Sequence, residues 1–260
     1  MRYKIRLSYN GGTFCGWQIQ NNAETVQGAI EKALRTLTGT DIHVTGAGRT
    51  DTYVNAINYI AHCDIPDNIS IKAELFCYKL NAILPREISI HEISECSEDF
   101  HARYDARSRE YCYFIHFTKD PFCENFSYRM RHNLDMDAMN QAARHLLGEH
   151  DFSCFEKTGG NNSTSICCIS EAYWSAYKPS HAELMGAQCR HGDYIVFRIK
   201  ANRFLRNMVR AIVGSLIEVG MGKKDPAWIA DLIAEGTRSD AGTSVPGKAL
   251  FFCGASYDQE

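Results

Sequence analysis

With 260 residues, 45% of them hydrophobic, the chain can build one large domain or two half-size ones around an ordinary packed core. No apolar run approaches the roughly 20 residues of a membrane span, and the opening MRYKIRLSYN alternates charge with bulk, which excludes a signal-peptide core and points to the cytosol. The formal net charge of −3 excludes a protein that coats nucleic acid with its whole surface, so an anionic partner must meet a local basic patch. The 11 cysteines are an odd number without a C-x-x-C pair, which suggests free buried thiols and neither a disulfide framework nor a zinc knuckle.

The first strand is legible at once. Tyr3, Ile5, Leu7 and Tyr9 share one face, and Arg2, Lys4, Arg6 and Ser8 share the other, so one side is core and the other basic. NGG at 10–12 breaks the strand, Thr25 caps a helix with the stripe Val26, Ile30, Ala33, Leu34 and Leu37, and Gly39 ends it. DIHVTGAG reads as a short strand entering a glycine bend, AINYIAHCDI as a strand, IKAELFCYKLNAILP as a helix closed by Pro85, and EISIHEISE as a strand. This β-α-β-β-α-β order is that of a ferredoxin-like half. Near residue 105 the pattern restarts, so the chain divides into 1–104 and 105–260.

In the second half, alternation at Tyr111, Tyr113, Ile115 and Phe117 predicts a strand, and Asp135 caps a helix bearing Met139, Ala142, Ala143, Leu146 and Leu147. The loop KTGGNNSTS leads to the strands ICCISEAYWSAY and YIVFRIK. A helix over roughly 203–218 follows, with Phe204, Met208, Val209, Ile212 and Leu216 inward, and Pro226 opens another with Trp228, Ile229, Leu232 and Ile233.

Three groups of residues have the chemistry of a site. In GAGRTDTYVNA, Arg49 and Asp51 stand two apart, so on an extended segment their side chains share a face and can meet. Most Arg-x-Asp pairs are an incidental bridge beside a turn. Here Gly46 and Gly48 allow close approach to the loop, and an arginine within about 4–6 Å keeps a carboxylate ionised and usable as a nucleophile. Tyr111 is either a core aromatic or a ring on which a base stacks. Arg203, Arg206 and Arg210 recur at helical spacing, and Arg103, Arg107 and Arg109 lie beside His101. Together with the face of Arg2, Lys4 and Arg6, these clusters favour an RNA or DNA partner over a solvated surface.

The blocks YNGGTFCGWQIQNNAETVQGAIEKAL, GRTD, LNAILP, DFHARYDARSREYCYFI, LLGEHDFSCF and IKANRFLRNMVRAIVGSLIEVG, in this order, resemble the bacterial tRNA pseudouridine synthase A family over nearly the whole chain. The resemblance implies an α+β fold: two ferredoxin-like α/β halves around a mainly antiparallel central sheet, with a basic active-site cleft between them. It also implies a homodimer that uses no metal or cofactor and isomerises uridine in the anticodon arm of tRNA, at positions 38, 39 and 40. By the same resemblance Asp51 is the catalytic carboxylate, Arg49 its partner, Tyr111 the ring that stacks on the target base, and Arg210 an arginine that reaches toward the aspartate. Arg203, Arg206, Arg107, Arg109, Tyr53 and Asn55 are then expected on the substrate. Asp51 either attacks C1′ or removes the C2′ proton to give a glycal.

The chain departs from the family pattern after Asp51, where Thr52-Tyr53-Val54-Asn55-Ala56 replaces Ala-Gly-Val-His-Ala, and again in NSTSICCI, where the family has an arginine-containing stretch. A tyrosine resists the positive φ open to glycine, so this loop is expected to take a different path and alter the choice of uridine. Two other readings remain. One is an impaired paralogue that only holds RNA, favoured by Tyr53 and Asn55, and the other is a carboxylate-nucleophile hydrolase of small substrates, which leaves the arginines unexplained.

Overall fold

A computed structural model of the chain describes residues 1–69, 71–159 and 163–258. It divides into two compact units, Met1–Arg109 with Phe251–Glu260, and Glu110–Leu250. The first begins with β1 (Arg2–Tyr9), whose burial alternates along its whole length as the spacing predicts. Then come α1 (Val26–Thr38), β2 (Val44–Gly46), β3 (Asn55–Asp64), α2 (Ala73–Ile83) and β4 (Ile88–Glu95). Thr25 caps α1 by accepting from Gly28 N at 3.2 Å, and Gly39 ends it in the left-handed region at φ 74°.

β1 lies between β3 and β4 and is antiparallel to both. β2 pairs with the far end of β3, antiparallel, opposite Ala61–Cys63. Residues 47–54 connect β2 to β3, and this connection is the segment that carries Asp51.

The second unit contains β5 (Ser108–His116), β6 (Tyr128–Arg129), α3 (Met136–Arg144), β7 (Gly148–Asp151), β8 (Ile166–Ala176), the short α4 (Ser180–Leu184), β9 (Tyr194–Ala201), α5 (Met208–Gly220) and α6 (Trp228–Glu235). Its strands run in the order β5-β9-β8-β7, with β6 parallel to β5. β8 is antiparallel to both β7 and β9. Met139, Ala142 and Ala143 of α3 are buried, and α3 packs on α5 and β8. The last strand, β10 (Leu250–Ser256), pairs in parallel with the start of β3 through Phe251 and Phe252. The architecture is thus mixed α/β, with antiparallel and parallel pairs.

Two sequence expectations are corrected here. Leu146 and Leu147 fall beyond α3, which ends at Arg144 ahead of Gly148 at φ 97°. The helix expected from about 203 starts only at Met208, because Asn207 sits in the left-handed region at φ 63° and its side-chain amide donates to Ser244 Oγ at 2.6 Å. The loop expected over 157–165 and the departing stretch NSTSICCI fall partly outside the described residues, at 160–162. All 11 cysteines are free, five of them buried. Among the described residues no helix is long and apolar enough to cross a membrane.

One buried group gives the first unit a pH dependence. His62 on β3 is 6% exposed, and its Nδ1 accepts from Ala102 N at 3.1 Å. Burial, then the Arg2 guanidinium and the neighbouring His101 ring, push its pKa down to about 4 against the pull of Asp64 and Asp105. The unfolded imidazole titrates near 6.5, so between about 6.5 and 4 the unfolded chain binds a proton that the folded chain refuses. Stability from His62 is therefore complete above the unfolded pKa and declines as pH falls through this window. In urea unfolding followed from pH 7 to pH 4.5, His62→Asn, whose amide oxygen replaces Nδ1 as acceptor, should lose less stability than wild type over the interval.

Candidate active site

The segment from Gly46 to Asn55 is held mainly by backbone contacts and by side chains beneath it. Tyr9 and Thr50 share a buried hydroxyl hydrogen bond of 2.8 Å. Tyr59 OH donates to Gly48 O, and Trp17 N donates to Thr50 O at 3.2 Å. Below them Trp17 and Tyr59 stack with ring centroids 4.3 Å apart, and Phe252 meets Tyr59 at 5.1 Å. Sequence reasoning missed this aromatic floor, although Tyr9 and Tyr59 lie on strands it identified.

Two glycines let the preceding NGGTFCGW segment touch the loop. A Cβ on Gly11 would lie 2.1 Å from Val54 O, and one on Gly16, already at φ 90°, would lie 2.4 Å from Thr50 O. No other residue fits such approaches without moving the loop. Asp51 is half-buried at its centre.

Arg49 is exposed, and its Nε donates to Gln18 Oε1 at 3.1 Å. Tyr53 takes φ 67°, the left-handed conformation that a tyrosine was expected to refuse, and its ring is 52% exposed. The strain of about 1–2 kcal/mol for such a residue is offset by the turn itself, where Tyr53 N donates to Phe14 O at 3.3 Å and Val54 N to Asp51 O at 3.2 Å. Asn55 is buried, and its Oδ1 accepts from Gly11 N at 2.9 Å. It supports the loop from inside and does not line its surface.

The remaining expected residues are placed as follows. Arg109 donates to Ala106 O at 2.8 Å, to Ala47 O at 3.2 Å and to Arg103 O, so its guanidinium clamps three backbone carbonyls. Arg107 pairs with Asp258, Nε to Oδ2 at 2.7 Å. In the basic face of β1, Arg2 makes a two-point bridge to Asp64 at 2.8 Å, and Arg6 meets Glu92 at 3.2 Å. In the second unit Tyr111 is 9% exposed and meets Phe204 edge-on at 5.2 Å. Arg210, in the first turn of α5, donates to Val245 O at 2.7 Å. Arg203 and Arg206 lie in the turn before α5, half-buried and exposed respectively, not along a helix face.

The second unit also brings Asp120 and Cys123 together with the distant His181, donor atoms within 4.8 Å of one another, the one such group among the described residues. Asp120 Oδ2 accepts from Tyr194 OH at 2.8 Å and lies 2.8 Å from His181 Nε2. Burial opposes its ionisation, yet hydrogen bonds from Tyr194, Phe122 and Cys123 outweigh burial and hold the carboxyl below its usual range.

A half-buried carboxylate on a glycine-supported loop, with exposed arginine and tyrosine beside it, is suited to act on a substrate that enters from solvent. Comparison with known proteins gives this arrangement a context. Residues 142–258 match a family model described as tRNA pseudouridine synthase. Over its whole length the chain is 43% identical to a tRNA pseudouridine synthase A of Parabacteroides distasonis, covering 97% of that protein. It is 41% identical to one of Bacteroides thetaiotaomicron, covering all of this chain and 91% of the relative. Across 96% of this chain it is 38% identical to one of Halalkalibacterium halodurans, covering 90% of it.

The contacts of Gly16 make a direct prediction. Gly16→Ala must push its methyl against Thr50 O and strain a positive φ, so it should lower unfolding stability by more than about 1 kcal/mol. Amide exchange at residues 48–54 should speed up more than exchange in α1, measured by mass spectrometry.

Proposed function

Because this chain belongs to the tRNA pseudouridine synthase A family, we propose that it isomerises uridine to pseudouridine in the anticodon arm of tRNA, at positions 38, 39 and 40. The observation that carries the reading is 43% identity with a synthase over the entire length of the chain, a span that includes the loop presenting Asp51. In the proposed reaction the N1–C1′ bond breaks, the base turns, and a C5–C1′ bond forms with loss of the C5 proton. The target must leave the stack and be held while it is detached. Asp51 acts at the ribose, either on C1′ or on the C2′ proton.

Residues 1–104 supply the catalytic loop, and 105–260 supply Tyr111 as base platform and Arg210 as positioner, in two ferredoxin-like halves. Arg49, exposed beside Asp51, orients the RNA and the carboxylate once substrate is bound. Arg203 and Arg206 contact phosphate, and Arg107 joins them by exchanging Asp258 for a phosphate. Arg109 and Asn55 contribute by holding the loops on which the substrate rests. The enzyme works in the cytosol as a homodimer, without a cofactor. Retained turnover, as opposed to a paralogue that only holds RNA, is supported by Tyr53: it keeps a glycine-type backbone, so the substitution at this one position changes a surface side chain and not the turn.

Incubation with unmodified tRNA transcripts, followed by carbodiimide-dependent primer extension, tests the activity; absence of new pseudouridine in any transcript would reject it. Asp51→Asn should abolish turnover and leave tRNA affinity within about tenfold, since phosphate contacts supply most of that affinity. Arg206→Ala should weaken many tRNAs alike and flatten the slope of log K against log salt by roughly 0.7–0.9. Tyr53→Gly should change the relative rates among target uridines while every product still depends on Asp51; equal rates at every site would make the tyrosine a neutral surface change.

A further inference from the structure

The segment between β4 and β5 holds one helical turn that is fixed along its length. Asp105 N donates to His101 O at 3.0 Å, His101 N donates to the Asp105 carboxylate at 2.7 Å, and Ala102 N donates to His62. Tyr257 OH donates to Ala102 O at 2.7 Å. His101 Nδ1 accepts from the backbone N–H of both Arg103 and Tyr104 at 3.2 Å, which fixes the plane of the imidazole. The Tyr104 ring lies against that imidazole, with centroids 4.2 Å apart and planes inclined by 32°.

Backed in this way, Tyr104 still leaves 75% of its surface in solvent. The Arg103 guanidinium stands 5.8 Å from its ring centroid and has no carboxylate partner among the described residues. Arg109 ties this turn to the loop of Asp51, because the same guanidinium binds Arg103 O, Ala106 O and Ala47 O. The exposed ring is therefore held on a rigid turn joined to the catalytic loop, with a cation at its side.

We propose that Tyr104, backed by His101 and flanked by Arg103, is a stacking subsite for an unpaired base of the RNA substrate, with Arg103 on that nucleotide's phosphate. The inference rests on the proposed RNA substrate. A π-face accepts any base, so the subsite adds affinity without reading sequence, and a ring already immobilised loses little entropy when a base lands on it. A second copy of the chain is the other occupant to consider, but a lone cation beside the ring is matched by a phosphate and not by an apolar protein surface.

Binding of an unmodified tRNA transcript, measured with wild type, Tyr104→Phe, Tyr104→Ala and Arg103→Ala, tests it, with molar mass followed by light scattering. Phe should stay within about twofold of wild type, and Ala should bind roughly 5- to 150-fold more weakly with the salt slope unchanged. Arg103→Ala should flatten that slope by roughly 0.7–0.9. Ala binding as well as Phe, Phe losing as much as Ala, or a fall in molar mass at unchanged RNA affinity each overturns the subsite. If wild type forms pseudouridine and Tyr104→Ala binds tRNA normally, the subsite fails and the proposed function stands. A wild type that makes no pseudouridine but shows the Phe and Ala contrast rejects the function and keeps the subsite.

Discussion

Close backbone contact between two loops governs how Asp51 is presented. Gly11 and Gly16 lie so near the carbonyls of Val54 and Thr50 that any side chain there would displace the loop. Tyr9, Trp17 and Tyr59 then close on the same stretch from β1, the following loop and β3. The loop that carries the carboxylate thus takes its path from main-chain contacts. Such a loop is preorganised by contacts within the protein, and Arg49 at its edge is exposed.

The same constraint explains how the loop tolerates Tyr53. A left-handed tyrosine is unfavourable by itself, and a half-exposed ring recovers little by burial. The turn is nevertheless closed on both sides, by Asn55 on Gly11 N and by the amides of Tyr53 and Val54 on Phe14 and Asp51. Several contacts of about 1 kcal/mol each outweigh one strained residue. The sequence expectation of a new path weighed only the local φ preference and omitted these long-range partners.

Elements with a cap and a clean period were legible from sequence. α1 has Thr25 and Gly39 at its ends, β1 alternates without a break, and Asp135 opens α3 through Ala138 N. The start of α5 was not, because residues 203–207 carry helical spacing while Asn207 takes a left-handed conformation set by Ser244, distant in sequence. Site residues divide in the same way. GRTD marked the right loop, but spacing of two could not reveal that Arg49 turns to Gln18. Nor could it reveal the Asp120, Cys123 and His181 group, assembled by the fold alone.

Arginines show most clearly why composition underdetermines a binding surface. A sequence shows each one as a free positive charge, yet Arg2 and Arg6 are neutralised across β-strands, and Arg107 is paired. Arg109 and Arg210 hold backbone carbonyls within their own units. A guanidinium has five donors, so one arginine can both brace a fold and keep donors for a ligand, but a cation fixed to carbonyls contributes direction more than attraction. Exposed surface pairs, by contrast, are worth roughly 0–1 kcal/mol and open readily to a phosphate. The charge available to RNA is therefore set by which arginines have weak or no acidic partners; Arg49, Arg103 and Arg206 are among them, and Arg107 stands behind an exchangeable bridge. In a chain of net charge −3, such cations must act at chosen points, which favours phosphates held at fixed places over a broad electrostatic footprint.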